Sequence, residues 1–136
     1  MIVVDTSAIV AIALGELERE AFVQVVQQAD KALISVVSVL EARMVVHGRR
    51  GERAVALVDD LMRLPVFDWV APGAAEMNAA YSAFLAFGRG SGHPAGLNFG
   101  DLFSYALAKT RGLPLLYKGD DFSQTDVRSA LPAASS

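Results

Sequence analysis

The sequence predicts an α/β fold in which a central, mostly parallel β-sheet lies between layers of α-helices. Short runs at residues 2–4, 32–35 and 113–117 are almost continuously apolar, which is typical of strands that are buried on both faces. Between these runs lie longer segments whose apolar residues recur at helical spacing. Strands that alternate with helices indicate a parallel sheet with helices packed on its faces.

The composition indicates one globular domain. Of the 136 residues, 53% are hydrophobic and 20% are charged, which is typical of a folded chain with an aliphatic core. We expect this domain to span residues 1–131 and residues 132–136 to form a disordered tail. The absence of cysteine excludes a disulfide and a thiolate metal site. No uncharged apolar run reaches the roughly 18 residues of a spanning helix, so we expect a cytoplasmic protein without membrane contact.

The net charge of −3 gives no support to a nucleic-acid partner that is held by charge alone, because such proteins are usually strongly basic. Positive charge is nevertheless concentrated in one short stretch of the chain. The members of this basic cluster are Arg43, His47, Arg49, Arg50 and Arg53. A solvated helix end followed by a turn explains the cluster more simply than a binding surface does.

Apolar spacing and end signals define the elements of the first half. In order, they are a strand at 2–4, helices at 8–14 and 16–29, a strand at 32–35 and a helix at 38–47. Gly48 is expected to end the last of these helices, since glycine is the residue that most often follows a helix. Glu41 then lies in the first turn of a helix that follows a strand.

The second half continues the alternation of helices and strands. Its predicted elements are a helix at 54–64, a strand at 66–69, helices at 74–87 and 98–111, a strand at 113–117 and a last edge strand at 123–131. Pro65 and Gly112 end the helices that precede them. The glycine-rich residues 88–96 sustain neither helix nor strand, and they predict a mobile loop of the kind that borders functional sites.

Acidic side chains gather at one edge of this predicted sheet. They are Asp5 at the end of the first strand, Glu41 after the second, Asp101 at the start of the helix before the strand at 113–117, and Asp120 with Asp121 after that strand. In open parallel sheets the functional crevice lies beyond the carboxyl ends of the strands. The topology therefore brings these carboxylates to a common crevice.

Taken singly, most of these acids have a simpler explanation. Ser38 and Glu41 have the spacing of a helix capping box, Asn98 and Asp101 resemble one, and Gly119-Asp120-Asp121 is ordinary turn chemistry. Taken together, like charges at one edge repel one another unless a cation joins them. Mg²⁺ and Mn²⁺ accept carboxylate and water oxygens without cysteine or histidine, and phosphodiester hydrolysis uses such sites.

The motifs that carry these acids resemble a known family. The N-terminal Met-Ile-Val-Val-Asp5-Thr-Ser-Ala, then Leu-Asn-Phe-Gly-Asp101, and finally Gly-Asp120-Asp121-Phe are similar, in this order, to the motifs of PIN domains, and most of all to VapC toxins of bacterial type II toxin–antitoxin systems. The similarity extends from residue 1 to about residue 127. It implies a PIN fold, Mg²⁺- or Mn²⁺-dependent endoribonuclease activity, inhibition by a VapB-type antitoxin, and a homodimer.

The resemblance also implies roles for individual residues. Asp5, Glu41, Asp101 and Asp120 correspond to the metal-binding, catalytic carboxylates, with Asp121 as a residue that shares or replaces the role of Asp120. Ser7 or Thr6 is expected to orient Asp5 or a bound water. Arg89, in the glycine-rich loop, resembles an arginine from which a phosphate could be clamped, although a flexible surface loop explains it more simply. His93 in the same loop is interpreted as structural and is left out of the catalytic set.

Two alternatives to an RNA-cleaving toxin remain open at the level of sequence. The same metal chemistry permits a nuclease that acts on DNA, and a non-catalytic α/β module that binds a partner would need none of the acids. The helix at 54–64 and the stripe of Tyr81, Phe84 and Leu85 supply more apolar surface than a small sheet covers. Core packing is the default for this surface, and a dimer or antitoxin interface is the alternative.

Overall fold

The computed structural model describes residues 1–132 of the chain. Within this part, the strands are β1 (Ile2–Val4), β2 (Ala32–Ser35), β3 (Phe67–Val70) and β4 (Leu115–Leu116). The α-helices are α1 (Thr6–Ala13), α2 (Arg19–Gln28), α3 (Val36–Arg50), α4 (Val55–Met62), α5 (Ala74–Phe87) and α6 (Phe99–Arg111). Short 3-10 helices span Glu52–Ala54 and Phe122–Gln124.

The four strands form one parallel sheet in the order β3-β2-β1-β4. β1 is therefore an inner strand, flanked by β2 and β4. Because all three pairings are parallel, the carboxyl ends of the strands share one edge of the sheet. The predicted α/β fold with helices around a parallel sheet is confirmed.

Alternate strand residues face opposite sides of the sheet, and each side has its own core. Val4, Ile34 and Leu116 belong to the core that holds the buried residues of α1 to α4. Val3 and Leu33 belong to the second core, which contains the buried side of α5 and most of α6. The molecule is thus a three-layer sandwich, and the continuous apolar character of β1 and β2 follows from this double burial.

The helix predicted at 38–47 is longer than expected at both ends. α3 begins at Val36, with Ser35 as its N-cap accepting a hydrogen bond from the Val37 N–H, and it continues through Gly48 to Arg50. The chain turns at Gly51, whose φ of 86° lies in the region that glycine tolerates. The predicted capping box of Ser38 and Glu41 is therefore wrong, and Glu41 lies in the second turn of the helix.

Other boundaries differ less, with one exception near the C-terminus. The helix expected at 16–29 begins at Arg19, the one expected at 54–64 is a 3-10 turn followed by α4, and the strand expected at 66–69 is shifted by one residue. The edge strand expected at 123–131 is wrong: this segment holds a 3-10 turn, and only Ser129 bridges to Leu115. The tail predicted at 132–136 lies outside the described residues apart from Pro132.

No helix within residues 1–132 is both long enough and apolar enough to cross a membrane.

Candidate active site

Asp5 lies at the carboxyl end of the inner strand β1 and is 2% exposed. It caps helix α1: its Oδ2 accepts hydrogen bonds from the Ser7 N–H at 2.9 Å and the Ser7 hydroxyl at 2.7 Å. Its Oδ1 accepts a hydrogen bond from the Ser104 hydroxyl at 2.5 Å. Three donors therefore fix a buried carboxylate, which satisfies a polar group that would otherwise be costly to bury.

Ser7 and Thr6 have different partners in this corner of the site. Ser7 contacts Asp5 directly, whereas the Thr6 hydroxyl donates to the Ser38 carbonyl oxygen at 3.1 Å. The Ser38 hydroxyl in turn lies 3.2 Å from the Ser104 hydroxyl. Ser7 is thus the neighbour that orients the Asp5 carboxylate, while Thr6 joins α1 to α3 beneath it.

Glu41 projects from α3 toward the N-terminus of α6. Gly100 lies so close to it that a Cβ at position 100 would overlap both carboxylate oxygens of Glu41. Gly100 is buried, and a side chain there would force the Glu41 carboxylate to move. Because Gly100 directly precedes Asp101 in α6, this contact places the Glu41 carboxylate beside Asp101.

Asp101 is the third residue of α6 and forms a capping box with Asn98. The Asn98 N–H donates to Asp101 Oδ2 at 3.0 Å, and the Asp101 N–H donates to Asn98 Oδ1 at 2.9 Å. Burial is the main cause that raises the pKa of Asp101 to about 7; the negative charges of Asp5, Glu41 and Asp121 act in the same direction, and the hydrogen bond from Asn98 acts against them. The carboxylates are therefore close enough to repel one another, and a cation between them would relieve that repulsion.

These side chains line an open pocket of about 230 Å³ at the carboxyl edge of the sheet. The pocket joins residues from α1, α3, the start of α6 and the loops that follow α1 and β4. Its lining residues are Asp5, Thr6, Ser7, Val10, Glu16, Glu41, Val45, Arg49, Asn98, Asp101 and Lys118. The crevice that the sheet topology predicts is therefore present at this edge, and three of the predicted carboxylates lie in it.

Asp120 and Asp121 both lie outside the lining of this pocket, on the exposed turn after β4. The Asp120 backbone oxygen accepts a hydrogen bond from the Ser123 hydroxyl at 2.6 Å, which is ordinary turn geometry. The charge of Asp121 contributes to the raised pKa of Asp101. The structure thus relates Asp121, rather than the preferred Asp120, to the other acids.

The glycine-rich loop also lies apart from the pocket lining. Arg89 is exposed, and its backbone N–H donates to the Leu97 carbonyl oxygen at 2.9 Å. The ring of His93 packs edge-on against Phe87, and its Nδ1 accepts a hydrogen bond from the Ala95 N–H at 3.1 Å. His93 therefore packs within its own loop, and neither it nor Arg89 lines the carboxylate pocket.

Sequence reasoning missed four residues of the site. Ser104 places a hydroxyl among the apolar residues of α6, and a polar residue at such a position indicates a buried hydrogen-bond partner. Arg49 was recognised only as part of the basic cluster, although it repeats the position of Glu41 two turns along α3. No sequence pattern marks Glu16 and Lys118 as site residues, because their contact depends on how the loops after α1 and β4 cross. The Glu18 and Glu16 carboxylates raise the pKa of Lys118 above its usual value.

The donor set of the pocket fits a hard divalent cation. Its acidic ligands are oxygen donors, as Mg²⁺ and Mn²⁺ prefer. Within residues 1–132, no three Asp, Glu or His side chains converge closely enough to enclose an ion by themselves. Mg²⁺ usually keeps several waters and binds one or two protein carboxylates directly, so an open arrangement of Asp5, Glu41 and Asp101 meets its requirements.

The fold and the pocket define the class: a parallel α/β sandwich with a carboxylate pocket at the carboxyl edge of its sheet. Residues 2–128 match the family model of the PIN domain. The VapC ribonuclease Mb0640 of Mycobacterium bovis is 43% identical over 131 residues, covering 96% of this chain and 99% of the relative. Ribonuclease VapC28 of Mycobacterium tuberculosis is 43% identical over 129 residues, covering 95% and 97%.

Solved structures agree on the fold. VapC20 of Mycobacterium tuberculosis, a sarcin-ricin loop cleaving toxin, superposes with a TM-score of 0.80 at 19% identity, covering 97% of this chain and 100% of that one. VapBC2 of Rickettsia felis, solved with a promoter DNA fragment, gives 0.70 at 13% identity, covering 95% and 96%. This chain belongs to the PIN-domain family and, within it, to the VapC ribonucleases, as its motifs predicted.

Proposed function

We propose that this chain is a metal-dependent endoribonuclease, the toxin of a type II toxin–antitoxin system, which hydrolyses RNA phosphodiester bonds. The observation that carries the proposal is the meeting of Asp5, Glu41 and Asp101, from three separate elements, in one pocket. Capping alone would not require three carboxylates to repel one another there. The names of the relatives, VapC ribonucleases over nearly the whole chain, support RNA as the substrate.

In this proposal Asp5, Glu41 and Asp101 hold Mg²⁺, with Mn²⁺ as a substitute, and the turn after β4 supplies a fourth acid. Asp120 is the family-based choice for that acid, and the electrostatic link to Asp101 favours Asp121. A cation held by these residues would supply a water of lowered pKa and positive charge for the phosphate oxygens.

The rest of the chemistry depends on how this chain orients its own carboxylates. Ser7 and Ser104 hold both oxygens of Asp5, so the side chain cannot rotate away from the pocket without losing hydrogen bonds. Asn98 fixes Asp101 through the reciprocal cap, and Gly100 lets α6 approach Glu41. These contacts preorganise the acids, which is what sites that stabilise developing charge require.

We also propose two protein partners, a VapB-type antitoxin and a second copy of the chain. The α5 stripe, for which core packing was the default expectation, is exposed: Tyr81, Phe84 and Leu85 have exposed fractions of 60, 44 and 59%, and Met77, one turn earlier, is 57% exposed. On α3, Leu40 and Met44 are 56 and 64% exposed. Apolar patches of this kind are typical of protein interfaces, and relatives in fold are solved as toxin–antitoxin complexes.

The test compares cleavage of labelled RNA by the wild-type chain and by Asp101→Asn, each with Mg²⁺, with Mn²⁺ and with a chelator. We expect cleavage only by the wild type with metal, and no cleavage of a DNA strand of the same sequence. The matched control is Asp60→Asn, which removes an exposed carboxylate on α4 that is paired with Arg63. This variant should cleave RNA normally. Cleavage that persists in Asp101→Asn or with chelator would contradict the proposed mechanism, and cleavage of DNA alone would contradict the proposed substrate.

A further inference from the structure

The carboxylate pocket also has a basic wall. Arg49 and Lys118 line the same pocket as Asp5, Glu41 and Asp101. Their side chains are 56% and 39% exposed, so both remain accessible to a ligand that enters from solvent. A pocket that must hold a metal and also admit a polyanion needs positive charge beside its acids, and these two residues provide it.

Lys118 is tied to the acids through its backbone. The Lys118 N–H donates to Ser7 Oγ at 2.9 Å, and the Ser7 hydroxyl donates to Asp5 Oδ2 at 2.7 Å. Only two hydrogen bonds therefore separate the main chain at position 118 from the buried carboxylate. The lysine side chain extends from a point that is fixed relative to the candidate metal ligands.

Arg49 is placed by the helical repeat of α3. Glu41, Val45 and Arg49 recur every four residues and all three line the pocket, so one stripe of the helix forms its wall. Eight residues of α-helix rise about 12 Å. A group bound at Arg49 therefore lies beside, and not at, the place where Glu41 and Asp101 act.

An anion already bridges the two basic residues. Glu16, in the loop after α1, lines the pocket; its Oε1 lies 3.2 Å from Lys118 Nζ, and its Oε2 lies 3.5 Å from Arg49 Nη1. Its backbone N–H donates to the Ala11 oxygen at 2.9 Å, which holds the loop against α1. One carboxylate thus places an oxygen near each of two cations, as a phosphate does when two basic side chains bind it.

We propose that Arg49 and Lys118 bind a backbone phosphate of the RNA strand next to the one that is cleaved, in the place that the Glu16 carboxylate takes in the free protein. This inference rests on the proposed ribonuclease function and adds a substrate-binding site to it. It also explains how a chain of net charge −3 holds a polyanion: binding is local, and it uses the basic end of α3.

The exchange of Glu16 for phosphate is energetically reasonable. Partly exposed ion pairs contribute little net stability because water solvates the separated charges well. A phosphate offers more oxygens than a carboxylate, and the arginine fork matches two of them. Lys118 also keeps a second partner, since its Nζ lies 3.2 Å from Glu18 Oε2, so it remains positioned when Glu16 leaves.

The test measures binding of a labelled single-stranded RNA to the full chain in Mg²⁺, with Asp101→Asn present in every protein so that the RNA is not cut. We expect Arg49→Met and Lys118→Met each to weaken binding about tenfold. The double variant should lower the slope of log K against log salt by about 0.7, the value for one lost phosphate on a single strand. Glu16→Gln should tighten binding about threefold, since it removes the competing anion.

Matched controls come from the opposite end of the sheet and from charge-preserving changes. Lys31, which precedes β2 and pairs with Asp68 at 3.6 Å, is 46% exposed, and Lys31→Met should leave binding unchanged. Arg49→Lys and Lys118→Arg should recover most of the binding, and melting temperatures establish that each variant is folded. Weaker binding in Glu16→Gln, unaltered binding in both methionine variants, or an RNA that does not bind at all would overturn the proposal.

The two proposals fail separately. If the chain with Asp101 intact cuts no RNA while the binding series behaves as expected, the ribonuclease function is wrong and the phosphate site stands. If RNA is cut in a metal-dependent way while Arg49 and Lys118 make no difference to binding, the phosphate site is wrong and the ribonuclease function stands.

Discussion

The Ser104 hydroxyl donates a hydrogen bond of 2.5 Å to Asp5 Oδ1 across 99 positions of sequence, and both side chains are buried. This contact connects the middle of α6 to the end of β1, so the helix that carries Asp101 also holds Asp5. The same hydroxyl lies 3.2 Å from that of Ser38 on α3. One serine therefore connects the three elements that supply the carboxylates.

Replacing Ser104 with alanine should destabilise the protein by about 1–3 kcal/mol, because a buried carboxylate oxygen loses its donor. We expect RNA cleavage to fall as well, since Asp5 keeps only its Ser7 contacts. Urea unfolding measures the first effect, and an activity assay on the folded variant measures the second. Ser82→Ala, at an exposed site on α5, is the control and should stay within about 0.5 kcal/mol of the wild type.

A methyl group at position 100 should damage the site more than one elsewhere in a helix. In Gly100→Ala the new Cβ meets the Glu41 carboxylate, so Glu41 or the start of α6 must move. Because the overlapping atoms are the end of a flexible side chain, we expect the free energy of unfolding to change by no more than about 1 kcal/mol, while metal-dependent cleavage is lost as the Glu41 carboxylate is displaced.

Gly48 supplies the matched control for that substitution. It lies inside α3, and apart from its chain neighbours and the nearby backbone of its own helix, no heavy atom lies within 4 Å of the place that an alanine methyl would take. Gly48→Ala should therefore stabilise the helix by about 0.5–1 kcal/mol and leave cleavage intact. Equal cleavage by Gly100→Ala and Gly48→Ala would show that the contact between Gly100 and Glu41 is not tight.

Much of this architecture could be predicted from local sequence signals. α5 has the predicted bounds, and α6 begins after the Asn98 cap and ends at Gly112, whose φ of 65° matches its predicted role. These ends are determined by short-range chemistry that a sequence displays directly. Burial on both faces likewise made β1 and β2 recognisable, because every position in them is apolar or small.

What could not be predicted depends on contacts between distant segments. Gly48 resembles a helix end, but burial of Val39, Ala42 and Val46 along α3 outweighs the roughly 1 kcal/mol preference against glycine. The bridge from Glu16 to Arg49 and Lys118 requires three segments to meet, and nothing local encodes it. The exposure of the α5 stripe was missed for the same reason, since a helical pattern does not say which face a neighbour covers.

The α5 stripe predicts self-association. Tyr81 and Phe84 stack with ring centroids 6.3 Å apart, and with Leu85 they form an apolar surface on the outside of the helix layer. If a second copy covers this surface, Phe84→Ser with Leu85→Ser should convert a dimer into a monomer in light-scattering measurements. Leu57→Ser, on α4 and 50% exposed in the wild type, should leave the mass unchanged. A wild-type chain that is monomeric at high concentration would rule out this use of the stripe.

The raised pKa of Asp101 predicts how pH acts on the metal-free protein. Because burial and neighbouring carboxylates raise this pKa from 3.8 to about 7, the folded state binds the proton more tightly than the unfolded state between these values. Stability contributed by the neutral form is therefore present at low pH and is lost as pH rises toward and through 7. Asparagine keeps a side-chain oxygen for the Asn98 N–H without ionising, so Asp101→Asn should lack this loss. Urea unfolding in chelator at pH 5 and at pH 7.5 measures the difference between the two proteins. A gap between them that stays constant across this range would mean that Asp101 is not the titrating group.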